Sequence, residues 1–257
     1  MDKDINIDDC QLMFGDCLER MKEIPDNSID MILCDLPYGT TACKWDNIIP
    51  FEPLWEQYKR IIKDNGAIVL TASQPFTTSL IASNMGGYCY SWVWDKKFGA
   101  NFVQAKRQPL KNHEDICIFS HNGKMPKYFP IMLKRNKPIK HGKNHGMTDA
   151  IPLVTNSSYN GKIYNEKYPS SQLHFSCREG KRGFHPTQKP VALFEYLIKT
   201  YTNPGELVLD NCMGSGTTAI ACINTNRKFI GIEMDEKYYD ISCKRIKDAL
   251  REPSLFK

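Results

Sequence analysis

The chain has 257 residues and a formal net charge of +5, with 41% hydrophobic and 25% charged residues, a balance that excludes collagen-like, coiled-coil and wholly disordered chains. No apolar run approaches the roughly 18 residues of a membrane span, and the acidic start Met1–Asp9 lacks the basic and apolar regions of a signal peptide. Ten cysteines without one Cys-x-x-Cys spacing argue against a disulfide framework or a zinc finger and for reduced thiols in a cytoplasmic protein.

In chain order, Gln11–Phe14 and Ile29–Cys34 predict short buried strands, and between them Asp16-Cys-Leu-Glu19 predicts a capping box that opens a short helix. Phe51, Leu54, Trp55, Tyr58, Ile61 and Ile62 follow helical spacing, and Asn65-Gly66 is expected to end that helix before the strand Ala67–Thr71. Cys89–Trp94 and Ile116–Phe119 read as two further strands. From about His121 to Gly183 the periodicity dissolves into Lys, Asn, Gly, Pro and Ser, a stretch too long for an ordinary loop and read as an inserted region. Regular patterning then returns: a helix marked by Phe194, Leu197, Ile198 and Tyr201, the strand Glu206–Leu209, a Gly-rich turn and helix, the strand Lys228–Glu233, and a last helix with Tyr239, Cys243, Ile246 and Leu250 on one face. Strands alternating with helices imply a mostly parallel sheet covered on both faces.

Charge is unevenly spread. Residues 1–103 hold 9 Lys/Arg against 15 Asp/Glu, residues 104–189 hold 16 against 5, and residues 190–257 hold 9 of each. A basic middle region faces a polyanion, or is a lysine-rich surface in water; charge alone leaves both open.

Two motifs carry chemistry. In Leu207-Val-Leu-Asp210-Asn-Cys-Met-Gly214-Ser-Gly216-Thr-Thr-Ala219 a strand ends in a carboxylate, two glycines let backbone approach a ligand, and a helix begins; Glu233 ends the next strand. The arrangement fits a nucleoside cofactor whose ribose hydroxyls donate to the second acid, and it would equally suit a nicotinamide or flavin enzyme or a purely structural turn. In Ile29-Asp-Met-Ile-Leu-Cys-Asp35-Leu-Pro37-Tyr38-Gly39 a hydrophobic strand delivers an acid, a proline and an aromatic to its carboxyl edge. Asp35 can accept an N–H of an exocyclic amine and draw the nitrogen lone pair out of ring conjugation. The carbonyl near Pro37 can take the second N–H, and Tyr38 offers a flat face to a base removed from its stack.

Together these residues resemble the S-adenosylmethionine-dependent amino-methyltransferases of DNA. Asp35-Leu-Pro-Tyr38 is similar to their Asp/Asn/Ser-Pro-Pro-Tyr motif, Asp210–Thr218 to their cofactor motif, and Phe184-His-Pro-Thr-Gln-Lys-Pro190 to the segment that precedes it; the order of the three matches the β group. The resemblance implies an α/β, doubly wound, Rossmann-like sheet of seven strands, one of them antiparallel. It places a catalytic half at 1–121, a target-recognition insert at 122–183 and a cofactor half at 184–257. By the same resemblance Asp35, Pro37 and Tyr38 hold the target base. Asp210, Gly214, Gly216 and Thr217 line the methionine side of the cofactor and Glu233 its ribose, while His185, Thr187 and Lys189 lie near its carboxylate. Asp16 approaches the adenine or serves only as a helix cap. Asn211-Cys212 departs from the Pro-Phe usual in the family.

The implied reaction moves a methyl from S-adenosylmethionine to N6 of a flipped adenine in double-stranded DNA, because an aspartate at the first motif position mostly accompanies adenine enzymes. Cytosine N4 is the alternative target; a nicotinamide-dependent oxidoreductase and a catalytically inactive DNA-binding module are the other readings. No proline is followed by cysteine, so the chain does not resemble the enzymes that methylate cytosine at carbon 5, which carry their thiolate nucleophile in a Pro-Cys pair. His141-x-x-x-His145 lies in a Gly/Lys/Asn stretch and is not expected to hold a metal. A homodimer and a separate restriction nuclease stay open as partners, and no membrane is expected.

Overall fold

The computed structural model describes residues 3–40, 46–140, 163–177 and 188–251. The chain divides into two compact units, Met1–Phe129 with Ser171–Lys257, and Pro130–Ser170. The larger unit begins with β1 (Ile5–Ile7), β2 (Cys10–Phe14), α1 (Cys17–Met21), β3 (Ile29–Cys34), α2 (Phe51–Ile61), β4 (Ile62–Ala72), α3 (Phe76–Ser83), β5 (Tyr88–Ala100) and β6 (Lys111–Phe119). The smaller unit holds β7 (Leu133–Lys140) and β8 (Ile163–Lys167), after which the larger resumes with β9 (Gln172–His174), α4 (Val191–Tyr201), β10 (Leu207–Asp210), α5 (Thr217–Asn224), β11 (Lys228–Glu233) and α6 (Glu236–Arg251).

The main sheet runs β1-β2-β11-β10-β3-β4-β6-β5-β9. Its seven strands from β2 to β5 are those expected, and among them β6 alone is antiparallel to its neighbours. The expected total of seven is corrected to nine by two three-residue edge strands, β1 antiparallel to β2 and β9 parallel to β5, each too short to show a period of two. β9 follows directly on the smaller unit yet belongs to the main sheet.

Strand β3 is buried along its whole length, as a central parallel strand must be, and its alternation separates two cores. Met31 and Leu33 face Leu193, Ala219 and Tyr239 of α4, α5 and α6. Ile32 and Cys34 face Met21, Leu54, Tyr58 and Leu80 of α1, α2 and α3. Each fully buried large side chain contributes about 1.5–3 kcal/mol, so both faces are needed to hold the sheet. Asp16 caps α1 as expected, its Oδ1 accepting from the amides of Leu18 and Glu19 at 2.9 and 3.2 Å.

One boundary differs from the sequence expectation. Asn65-Gly66 does not end α2; the helix stops at Ile61 and both residues lie inside β4. Pairing with β3 jumps from Ile29↔Ile62 to Met31↔Ala67, so the extra residues bulge out. A Cβ on Gly66 would lie 2.7 Å from Ile62 Cδ1 and 2.9 Å from the Asp30 carbonyl, which is why glycine stands there.

Between β10 and β3 the chain changes direction across the sheet: β3 leads outward to β4, β10 to β11 on the other side. The crevice outside the carboxyl ends at such a switch point is where doubly wound folds bind ligands. In the smaller unit β7 and β8 form an antiparallel ribbon, and Lys134 and Lys137 are exposed on it.

Candidate active site

The carboxyl edge of the sheet presents, strand by strand, Glu233 at the end of β11, the turn from Asp210 to Gly216 at the end of β10, Asp35 after β3 and Thr71 near the end of β4; β6 enters the same edge at Glu114. All belong to the larger unit.

Asp35 is the hub of a polar cluster. Its Oδ1 accepts from the Tyr38 hydroxyl at 2.8 Å and from the Thr71 hydroxyl, and its Oδ2 accepts from Lys189 Nζ at 2.7 Å. Lys189 is only 7% exposed and also faces Glu114 Oε2 at 3.3 Å; Glu114 in turn pairs with Lys96 at 2.8 Å. Burial works against the Lys189 charge, but the Asp35 and Glu114 carboxylates outweigh it and hold the ammonium above the ordinary lysine range. Burial likewise pushes Glu114 up, and the Lys189 and Lys96 ammonium groups reverse that and leave its carboxyl below the ordinary value. The Tyr38 ring stacks on Phe76 at 5.1 Å, and burial together with the Asp35 charge raises its hydroxyl well above the usual tyrosine range. Pro37 carries the chain into a loop that Asp46 pins by accepting from the amides of Gly39 and Thr40 at 2.8 and 2.9 Å.

The Gly-rich turn is held from within. Asp210, buried, accepts from the Cys212 amide at 3.1 Å and from the Thr218 hydroxyl, and burial pushes its carboxyl up to about 7. Gly214 and Gly216 have φ of 51° and 78°, a region that other residues reach only at a cost. A Cβ on Gly216 would lie 3.1 Å from Ser242 Cβ on α6. Glu233 accepts from the Gly214 amide at 2.9 Å and the Asp235 amide at 2.8 Å. The Thr217 hydroxyl accepts from Arg245 at 3.4 Å, toward α6. Asn211, where the family usually has proline, accepts from the buried Tyr58 hydroxyl at 2.6 Å and so ties the turn to α2.

Among the sequence-predicted residues, Asp35, Tyr38 and Lys189 therefore meet directly, and Gly214 meets Glu233. Lys189, expected near a cofactor carboxylate, contacts Asp35. His185 and Thr187 lie outside the described residues, as do His141 and His145. Among the described residues no group of three or more His, Cys, Asp or Glu side chains is placed to hold a metal ion, and no helix is long and apolar enough to cross a membrane.

Sequence reasoning passed over Thr71, Phe76, Lys96 and Glu114. Glu114 had a signal, since an acid pair opening the apolar run Glu114–Phe119 is unusual for a strand entering a buried sheet. The edge also holds buried side-chain oxygens of Ser73 and Gln188 without a hydrogen-bond partner among the described residues, the unmet polar capacity that a polar ligand satisfies. With paired glycines and a strand-end glutamate beside them, the residues present fit a nucleoside cofactor.

A doubly wound α/β sheet with an acid, a Gly-rich turn and a second acid on consecutive strand ends defines a cofactor-dependent enzyme of the nucleotide-binding class. Residues 29–244 match the family described as DNA methylase. The chain belongs to that N6/N4 family and is a DNA amino-methyltransferase of the β group. It is 29% identical over 250 residues to the DNA adenine methyltransferase YhdJ of Escherichia coli (strain K12), covering 91% of this chain and 82% of YhdJ. Among solved structures, the M1.HpyAVI–SAM complex is similar at 26% identity and a TM-score of 0.60, over 92% of this chain and 99% of that one. The PvuII DNA methyltransferase, named as cytosine-N4-specific, shares the fold at 16% identity and a TM-score of 0.65, over 94% of this chain and 91% of that one.

Proposed function

We propose that this chain transfers a methyl group from S-adenosylmethionine to N6 of an adenine flipped out of double-stranded DNA. The observation that carries the reading is Asp35, a strand-end carboxylate with defined donors around it, beside a Gly-rich turn closed by Glu233. When bound, S-adenosylmethionine supplies a methyl on a positively charged sulfur, open to attack by an amine nitrogen. A carboxylate has about four lone-pair sites. Two on Oδ1 are taken by Tyr38 and Thr71 and one on Oδ2 by Lys189, which leaves one on Oδ2 for an N–H of the target amine. Accepting that bond turns the nitrogen lone pair out of the ring and toward the incoming methyl. The carbonyl near Pro37 takes the second N–H, and Tyr38, backed by Phe76, stacks on the base. Glu233 retains lone pairs for ribose hydroxyls, while the Asp210–Thr217 turn lines the methionine side. Catalysis on this reading is positioning in line plus one hydrogen bond to the reacting nitrogen.

Adenine is favoured over cytosine because a carboxylate at position 35 is a strong acceptor, because adenine's larger ring system gains more from stacking on Tyr38, and because YhdJ, similar over most of both chains, is named for adenine. Nucleoside mass spectrometry on DNA methylated by the purified protein is expected to show N6-methyladenine. N4-methylcytosine in its place would overturn the base assignment and leave the mechanism standing, and no methylated nucleoside at all would overturn both.

The basic ribbon is assigned to DNA recognition, within the insert at 122–183. Its lysines and arginine suit phosphates, and the Asn, Gln and Arg side chains of the insert suit base edges. Replacing Lys134, Arg135 or Lys137 singly by alanine is expected to weaken DNA binding. It should also flatten the plot of log affinity against log salt by about 0.9 for each phosphate that the variant no longer neutralises. Three variants with wild-type binding across the salt series would show the ribbon to be a solvated surface.

A further inference from the structure

The hairpin joining β5 to β6 stands on the same carboxyl edge as Asp35, because β5 runs parallel to β4 across the intervening antiparallel β6. Residues 96–111 contain five Lys/Arg and no Asp or Glu. The last paired rung is Ala100↔Lys111. Glu114, which faces Lys189 beside Asp35, lies three residues back along β6, so that rung stands roughly 10 Å beyond the catalytic level at ~3.4 Å per residue.

Past the rung the chain turns through a 3₁₀ segment, Phe102–Gln104, entered by Asn101 at a φ of 69°. The tip is held by its own backbone: the Ala105 amide donates to Phe102 at 3.1 Å, and the Arg107 amide donates to Gln104 at 2.8 Å. At its base Gly99 packs so closely on Leu110 that an added Cβ would lie 2.8 Å from Leu110 Cβ. This ordered tip nevertheless exposes Phe102 by 66% and Val103 by 94%, with Lys97, Lys106 and Arg107 exposed around them. Adjacent apolar side chains in water are unfavourable, and the cationic segment 96–111 in which they sit, itself without an acid, points to a polyanion as what covers them.

Duplex DNA with one base withdrawn offers both parts of the complement: phosphates on either side, and an opened step with exposed ring faces. We infer that Phe102 and Val103 form an apolar wedge that enters the duplex where the target base leaves its stack, with Lys97, Lys106 and Arg107 on the flanking phosphates. The inference rests on the proposed methylation of flipped bases and deepens it by assigning a residue pair to the extrusion step. The wedge is preorganised, so little ordering entropy opposes its insertion.

The test uses the full chain and duplexes carrying its methylation site, located by modification-detecting sequencing of DNA from an expressing host. Replacing Phe102 and Val103 together by alanine removes the wedge at an exposed tip while leaving every contact of Asp35, Lys189 and Glu114 in place. On fully paired duplex the variant is expected to lose at least about tenfold in kcat/KM, since unstacking a paired base costs a few kcal/mol. On a duplex with an abasic position opposite the target it should come within about twofold of wild type, the base there being already unpaired. An equal loss on both duplexes, or no loss on either, would overturn the wedge. The charge variant Lys106→Glu/Arg107→Glu is expected to weaken binding to both duplexes and lower the salt dependence; unchanged binding would remove the phosphate contacts. Absence of methyl transfer by the wild-type protein on any DNA would instead sink the methylation reading, so the two failures are separable.

Discussion

Replacing Asp35 with alanine is expected to lower methyl transfer by at least about 10²–10³-fold, the scale of deleting one preorganised group from the reacting centre. Affinity for S-adenosylmethionine should stay within a few-fold. The separation follows from geometry: Asp35 follows β3, while the Gly-rich turn and Glu233 stand at the ends of β10 and β11 and are braced by their own hydrogen bonds. The groups left behind retain partners, with Tyr38 and Thr71 3.0 Å apart and Lys189 still facing Glu114. Calorimetry with S-adenosylmethionine and a radiolabelled transfer assay on the same preparation check both halves. Turnover retained by the variant would mean that another acceptor holds the target amine.

Replacing Lys189 with methionine should produce the largest loss of stability among the site variants. It leaves Asp35 and Glu114 on one buried patch without the ammonium between them. Removing one partner of a buried pair costs about 3–5 kcal/mol; with Asp35 a quarter exposed and Lys96 still on Glu114, about 2–4 kcal/mol is expected here by the same principle. The pH dependence has a definite sign. Glu114 is held below its ordinary 4.5, so its contribution is present above that pH and is lost as pH falls through the lowered value. Lys189 is held above its ordinary 10.5, so its contribution is fully present below that pH and is lost only as pH rises through the raised value. At neutral pH the wild type has both. The deficit of the variant should therefore shrink on acidification, because Glu114 without the Lys189 ammonium takes a proton at a higher pH in the variant than in the wild type. Denaturant titrations at neutral pH and near pH 4 measure this. A deficit that does not change between them would show that Lys189 stabilises by packing alone, and lysine-to-arginine replacement, which keeps the charge, should restore most of the neutral-pH stability.

The candidate site residues sit in short local segments, and local patterns placed those segments at strand ends. A strand ending in Asp35-Leu-Pro-Tyr38 and another ending in Asp210 ahead of Gly214 and Gly216 need only a buried parallel strand and a turn with positive φ to be what they are. Periodicity over α2, α4 and α6, and the apolar runs of β3, β4, β10 and β11, implied a mostly parallel sheet covered on both faces for the same reason: burial repeats every two or 3.6 residues wherever an element has a core face; the doubly wound strand order came from the family resemblance. Elements of three residues, β1 and β9, carry too little repeat to be seen. Asn65-Gly66 misled because the same pair serves a helix end or a bulge, and the choice rests on how closely Ile62 and the Asp30 carbonyl pack against Gly66. What only the tertiary structure decided is which distant charges share a site. Lys189 is 154 positions from Asp35, and Glu114 and Lys96 come from a third part of the chain. Their pairing depends on β6 entering the sheet antiparallel beside β4, a matter of strand order and register that no single segment encodes.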